Sequence, residues 1–129
     1  MAEILLDSDV IIAWLRGYDP FTETVPGLLS QGDVLAWTPL SVAEIFAGVR
    51  KGEENQVENL FIVLETLPLS DAIGRKAGYY LRAYSKSHGV ELGDALVAAT
   101  AYFTKMALWT LNRKHYPMRD IQFFSPPRS

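Results

Sequence analysis

The sequence predicts an α/β fold of three layers, α/β/α, around a central parallel sheet of four to five strands. Three observations predict it. Ile4, Leu5 and Leu6 form a short apolar run that ends at Asp7. A run this brief suits a strand buried on both faces, as in a parallel sheet. Comparable runs recur at residues 34–37, 66–69, 107–110 and 121–124. Amphipathic stretches separate them, and strands alternating with helices build a parallel sheet covered on both faces.

Each element has its own signal. Residues 10–16 read as a short helix, with Arg16 in the last turn, where a cation complements the dipole, and Gly17 as C-cap. Asp19-Pro20 reads as an N-cap followed by a first-turn proline, opening a helix toward Leu29. Pro26 inside it predicts a kink or an early end near Thr24 and Val25. Gln31-Gly32-Asp33 is a turn before the second strand. Thr38-Pro39 opens a helix with Val42, Ile45, Phe46 and Val49 on its apolar stripe, closing on Arg50, Lys51 and Gly52. Residues 53–64 are amphipathic, with Val57, Leu60, Phe61 and Leu64 on one side. Pro68 places the third strand at an edge. Ser70 or Asp71 caps a long helix running to about Ser87, with Gly89 as its terminator. Residues 92–106 read as the most buried helix. Ala95, Ala98, Ala99 and Ala101 let it lie close to the sheet, and Leu96, Val97, Tyr102 and Phe103 fill the remaining contacts. Residues 112–120 form a loop before the last strand, and Pro126-Pro127 ends the ordered part. With no repeat and no linker, residues 1–125 are expected to form one domain, followed by a short tail over 126–129.

Composition narrows the function. The 129 residues are 49% hydrophobic, which fits a globular chain. There is no cysteine, which removes disulfides, thiolate metal sites and cysteine nucleophiles together. The N-terminal residues lack a signal-peptide pattern, and no apolar run is long enough to span a membrane. The expectation is a cytoplasmic protein with no membrane partner. Net charge is −3, whereas a protein held to nucleic acid by bulk charge is usually basic. Nucleic-acid contact would need a local basic patch, or a metal that offsets the acids.

Asp7, Glu44 and Asp94 are remote in sequence but similarly placed. Asp7 ends the first strand, while Glu44 and Asp94 lie in early turns of helices. Helices of a doubly wound sheet start at the carboxyl ends of strands, where ligands bind. Asn112, just after the fourth strand, belongs to the same edge. Carboxylates gathered there repel one another unless a hard cation joins them, and Mg²⁺ or Mn²⁺ prefers oxygen ligands. Such a site suits phosphodiester hydrolysis. Each acid also has a plain structural reading. Asp7, Ser8 or Asp9 can cap the first helix. Glu44 stands at capping-box spacing from Ser41, although Thr38-Pro39 is the better start. Asp94 is an ordinary first-turn acid.

The blocks ILLDSDVIIAWLRG, TPLSVAEIFAGVRKG, LGDALVAATA and LWTLNRKHYP resemble, in order, the four motif blocks of the PIN domain. The resemblance is nearest to the VapC-type ribonuclease toxins of type II toxin–antitoxin pairs. It implies that Asp7, Glu44 and Asp94 are the metal-binding acids of an endoribonuclease using Mg²⁺ or Mn²⁺, and that Asp9 is an accessory acid. It also implies a VapB-like antitoxin, a homodimer, and RNA products with 5′-phosphate and 3′-hydroxyl ends. The family often carries a fourth acid after the last-block asparagine, and His115 stands there instead. That histidine either contacts substrate or is a partly exposed loop residue beside Tyr116. Thr110 and Asn112 can hydrogen-bond an acid or a bound water. Arg113 and Lys114, with Arg16, can form the basic patch for RNA phosphates, or simply line solvated loops. His88 precedes Gly89 at a helix end, where it suits the dipole. Excess apolar surface is expected on the helices over residues 10–29, where the resemblance implies an antitoxin segment. Two other readings stand beside the nuclease. One is a PIN-like binding module without catalysis. The other is a receiver-like signalling domain, which lacks a phosphoacceptor aspartate after Trp37 or Leu69, where Thr38 and Ser70 stand.

Overall fold

Alternate residues of the first strand serve opposite helical layers. In a computed structural model that describes residues 1–127, strand β1 (Glu3–Leu6) turns Leu5 to one side and Ile4 and Leu6 to the other. This follows from the two-residue period of a strand. All three side chains are buried, because β1 is the middle strand of five. It pairs in parallel with β2 (Val34–Trp37) and β4 (Ala107–Trp109), and these pair with the edge strands β3 (Glu65–Thr66) and β5 (Gln122–Phe123). The order is β3-β2-β1-β4-β5, all parallel. The flavodoxin-like order of receiver folds places the first strand between the second and third, so the receiver reading is set aside.

One layer holds α5 (Asp71–His88) and α6 (Leu92–Thr104), packed over Leu5, Ala36 and Leu108. Ala95, Ala98, Ala99 and Ala101 are all buried and let α6 approach the sheet closely. The other layer holds α1 (Ser8–Leu15), α2 (Phe21–Ser30), α3 (Pro39–Ala47) and α4 (Glu54–Val63). Val10, Ile11, Val25, Ile45, Val57 and Leu60 cover Ile4, Leu35, Trp37 and Trp109 there. Both expected layers are therefore present.

Several boundaries differ from the sequence expectation. Helix α1 begins at Ser8, because Asp7 itself is the N-cap, its carboxylate accepting from the Ser8 N–H at 2.9 Å. Helix α2 runs through Pro26 to Ser30. Buried Phe21, Val25 and Leu28 hold the helix together despite the missing N–H. Asp19 does not cap α2; Pro20 is at the N-cap, and Asp19 accepts from the Thr22 hydroxyl instead. Helix α3 ends at Ala47 with Gly48 as C-cap, before the basic residues expected to close it. Phe46 and Val49 of its stripe remain exposed. Tyr102 and Phe103 were expected inside but are 38% and 47% exposed, because α6 turns its alanines to the sheet. Ser70 and Gly89 cap α5 as expected. Of the tail expected over 126–129, residues 128 and 129 lie outside the described residues.

Candidate active site

Every acid placed at the rim has one oxygen tied into the fold. Asp7 follows β1, and its N–H donates to the Trp109 carbonyl at 2.9 Å, which fastens it to β4. Its Oδ1 caps α1. Its Oδ2 accepts from the Thr110 hydroxyl at 3.0 Å and the Tyr116 hydroxyl at 2.7 Å. A carboxylate offers about four lone-pair sites, so one acceptor direction remains. Asp94 occupies the third position of α6 and closes a capping box, its Oδ2 accepting from the Glu91 N–H at 3.3 Å. Its Oδ1 lies 4.0 Å from His115 Nδ1. Glu44 sits one turn into α3, whose N-cap is Thr38, so Glu44 has no capping role. It contacts the buried Ser8 hydroxyl, whose Oγ lies 3.0 Å from Glu44 Oε1 and 2.9 Å from Ser41 Oγ.

These groups meet. Asp7, Asp9, Glu44, Asp94, Asn112 and His115 line one open cleft of about 320 Å³, with Ser8, Gly89 and Glu91 completing it. The sheet order explains this. Strand β1 lies between β2, which leads into α3, and β4, which leads into the turn Arg113–His115. The plain structural readings of Asp7 and Asp94 are therefore also true: each caps a helix through one oxygen and still lines the cleft.

The cleft holds its acids uneasily. Burial, and then the charge of Asp7, pushes the Asp9 carboxyl above its ordinary value. Burial raises Asp94 too, against the pull of its Glu91 cap bond and of His115. Burial and the neighbouring Asp7 charge hold the Tyr116 phenol far above its ordinary value, so it stays a donor. Asp9 Oδ2 accepts from the Leu111 N–H at 3.1 Å and lies 3.4 Å from the Thr110 hydroxyl. Asp9 Oδ1 is buried without a hydrogen-bond partner among the described residues. An unpaired buried carboxylate oxygen is costly unless a cation or proton meets it. Among the described residues, no three His, Asp or Glu side chains already stand close enough to share one ion. The all-oxygen donor set nevertheless fits Mg²⁺ or Mn²⁺, since Mg²⁺ keeps several waters and takes one or two carboxylates plus substrate phosphate.

A family model described as the PIN domain matches residues 4–121. The chain belongs to the PIN-domain family. This PIN domain is 40% identical to Ribonuclease VapC10 of Mycobacterium tuberculosis over 125 residues, spanning 96% of this chain and 92% of that protein. It is 32% identical to Ribonuclease VapC19 of the same organism, spanning 92% of this chain and 96% of that one. Two solved structures share its fold. VapBC2 from Rickettsia felis, bound to a DNA fragment from its promoter, superposes with a TM-score of 0.76 at 21% identity over 95% of this chain and 97% of that one. FitAcB from Neisseria gonorrhoeae gives 0.73 at 22% identity over 95% and 96%.

The other candidates of this PIN domain fall into two groups. Thr110 touches Asp7, and its oxygen accepts from the Asn112 N–H at 3.1 Å, so both belong to the rim. His115 faces Asp94 from the exposed turn. Arg16 lies at the far end of α1, 3.8 Å from Glu53, and does not line the cleft. Arg113 donates to the Phe124 carbonyl and the Ser125 hydroxyl, and with Lys114 it lines an adjoining pocket. Sequence reasoning missed Ser8, Ser41, Glu91 and Tyr116. The serines carried a signal, Ser8 between two acids and Ser41 three residues before Glu44. Nothing local marks Tyr116 as the partner of a residue 109 positions away.

Proposed function

We propose that this chain is a Mg²⁺- or Mn²⁺-dependent endoribonuclease, the toxin of a VapBC-type pair, acting in the cytoplasm as one domain over residues 1–125. The observation that carries the reading is the meeting of Asp7, Asp9, Glu44 and Asp94, drawn from three distant segments, in one cleft. Asp7, Glu44 and Asp94 would hold the cation. Once bound, it would polarise the scissile phosphodiester and favour ionisation of an attacking water. The chain's own groups prepare the acids for this. Thr110 and Tyr116 fix Asp7, Ser8 fixes Glu44, and the Glu91 N–H fixes Asp94. His115, at the rim beside Asp94, is placed to meet a substrate phosphate. Hydrolysis would leave 5′-phosphate and 3′-hydroxyl ends.

A VapB-like antitoxin is the partner that the VapBC likeness supports. The exposed apolar surface lies less on α1 and α2 than expected, because their apolar residues face the sheet. It concentrates on α3, α4 and the segment between them, where Phe46, Val49, Phe61 and Val63 are exposed and Ile62 is 81% exposed. A groove between α1 and α4, lined by Trp14, Leu15, Leu60 and Val63, suits an apolar antitoxin segment. Tyr79, Tyr102 and Phe103 give α5 and α6 an apolar outer face that suits a second copy, and size-exclusion chromatography with light scattering reads that dimer. No helix among the described residues is long and apolar enough to cross a membrane.

Purified protein and RNA test the enzyme. Cleavage that requires Mg²⁺ or Mn²⁺ and vanishes in Asp7→Asn is the expected result. Metal binding by calorimetry without cleavage would favour the binding-module reading, which the His115 position keeps in play. Equal cleavage by Asp7→Asn would point to a contaminating nuclease.

A further inference from the structure

We propose that the pocket beside the acidic cleft is a nucleotide subsite, which takes a base of single-stranded RNA next to the bond that is cut. This rests on the nuclease reading above. The pocket measures about 490 Å³, within the range of about 300–1,000 Å³ usual for small-ligand clefts. Its accessible aromatic face is half-buried Phe124, backed by the buried rings of Trp109, 5.2 Å away between ring centres, and Phe21, 5.7 Å beyond that. Leu111, 55% exposed, forms the lip.

Two features commit the pocket to RNA. The first is continuity: Asn112 lines both the pocket and the acidic cleft, and Thr110, which binds Asp7, lines the pocket wall. A base seated there leaves its phosphate at the acids. The second is charge. Among the described residues no lysine or arginine lines the acidic cleft, whereas Arg113 and Lys114 both line this pocket. Arg113 spans the Phe123 ring at 4.9 Å and ties down Phe124 and Ser125, which steadies the wall. Lys114 makes no ion pair among the described residues, which leaves its ammonium for a phosphate. An apolar platform with a cationic rim is the general form of a single-strand site, where bases stack and backbone charge is met by lysine or arginine.

The test uses a fluorescent, mixed-sequence single-stranded RNA, with binding read by anisotropy in an Asp94→Asn background and cleavage read in the otherwise native chain. Leu111→Glu puts a charge at the lip while keeping the backbone N–H that holds Asp9. It should raise Kd and KM together, by about 5- to 150-fold, the equivalent of one lost base stack, with kcat little changed. Lys114→Glu should lower the salt dependence of binding by about one unit of slope. An oligonucleotide made abasic beside the mapped cleavage site should bind more weakly, and Leu111→Ala should add little to that loss, because both remove one contact. Leu111→Ala, with circular dichroism, guards against misfolding. Wild-type binding and KM in Leu111→Glu, beside a native chain that cleaves RNA, would overturn the pocket alone. A native chain that cleaves no RNA would overturn the nuclease reading and the pocket with it. Unchanged RNA binding with weakened antitoxin binding would assign the pocket to the antitoxin and overturn the proposal.

Discussion

Two polar clusters in this chain treat a carboxylate in opposite ways. At Asp120, Lys76 Nζ stands 2.8 Å away and the Tyr80 hydroxyl donates at 2.7 Å. Burial works against the charge, yet these bonds outweigh it and hold the Asp120 carboxyl below its ordinary value. Lys76 also lies over the rings of Tyr79, Tyr80 and Tyr102, between 4.1 and 5.0 Å from their centres. The cluster is complete as it stands. In the cleft, burial raises Asp9 and Asp94, and among the described residues no lysine or arginine answers them. The contrast teaches where to look for chemistry: a satisfied acid holds two elements together, and an unsatisfied one waits for a ligand.

The comparison breaks most visibly at the acids themselves. Asp7→Asn and Asp94→Asn should each lower RNA cleavage by about 10²-fold or more, the scale seen when a single electrostatic group is removed from an active site, with a normal circular dichroism spectrum. Next comes Tyr116→Phe. Loss of the 2.7 Å bond to Asp7 should cost about 10- to 100-fold in activity or Mn²⁺ affinity, read by kinetics and by calorimetry.

Titration sharpens the contrast further. A carboxyl raised in the folded state binds its proton more tightly there than in the unfolded chain. Asp9 and Asp94 therefore oppose folding at neutral pH, and that cost is relieved as pH falls through their raised values toward the ordinary range near about 4. Metal-free protein should gain Tm over that interval in scanning calorimetry. Asp9→Asn, which no longer titrates, and saturating Mn²⁺, which replaces the proton, should both shrink the gain. Asp120 has the opposite sign, since its contribution is present above the unfolded value and lost as pH falls through its lowered one. Asp120→Asn carries the smallest effect. Its half-exposed ion pair should cost no more than about 1 kcal/mol in urea unfolding, and cleavage should be unchanged.

Much of this was legible in the chain. The short apolar runs gave β1, β2 and β4 because buried parallel strands must be apolar, whereas the third strand is the exposed pair Glu65–Thr66 and not the run 66–69, since an edge strand carries no such demand. Thr38, Ser70 and Gly89 capped the helices they were expected to cap. The convergence of Asp7, Glu44 and Asp94 followed from helices starting where strands end. What stayed hidden depended on tertiary packing. Pro26 did not break α2, because buried neighbours outweighed one absent hydrogen bond. The outward turn of Tyr102 and Phe103 could not be read from an α6 that is apolar nearly all round. The basic candidates Arg16 and Arg113 were engaged by Glu53 and by the last strand's exit, contacts that no local pattern announces.

Asp7 at the start of α1 carries an evolutionary consequence. Alanine there would remove a helix cap, typically worth about 0.5–2 kcal/mol, together with the cleavage chemistry. Asparagine keeps an oxygen on the Ser8 N–H, and gives up the charge and the acceptor that Oδ2 offers to the Thr110 and Tyr116 hydroxyls, which can rotate to accept from an amide instead. Cells that escape such a toxin by mutation while still making the full-length protein should thus carry amides at this position more often than small apolar side chains. Those silent alleles would still fold, and would still compete for the neutralising partner.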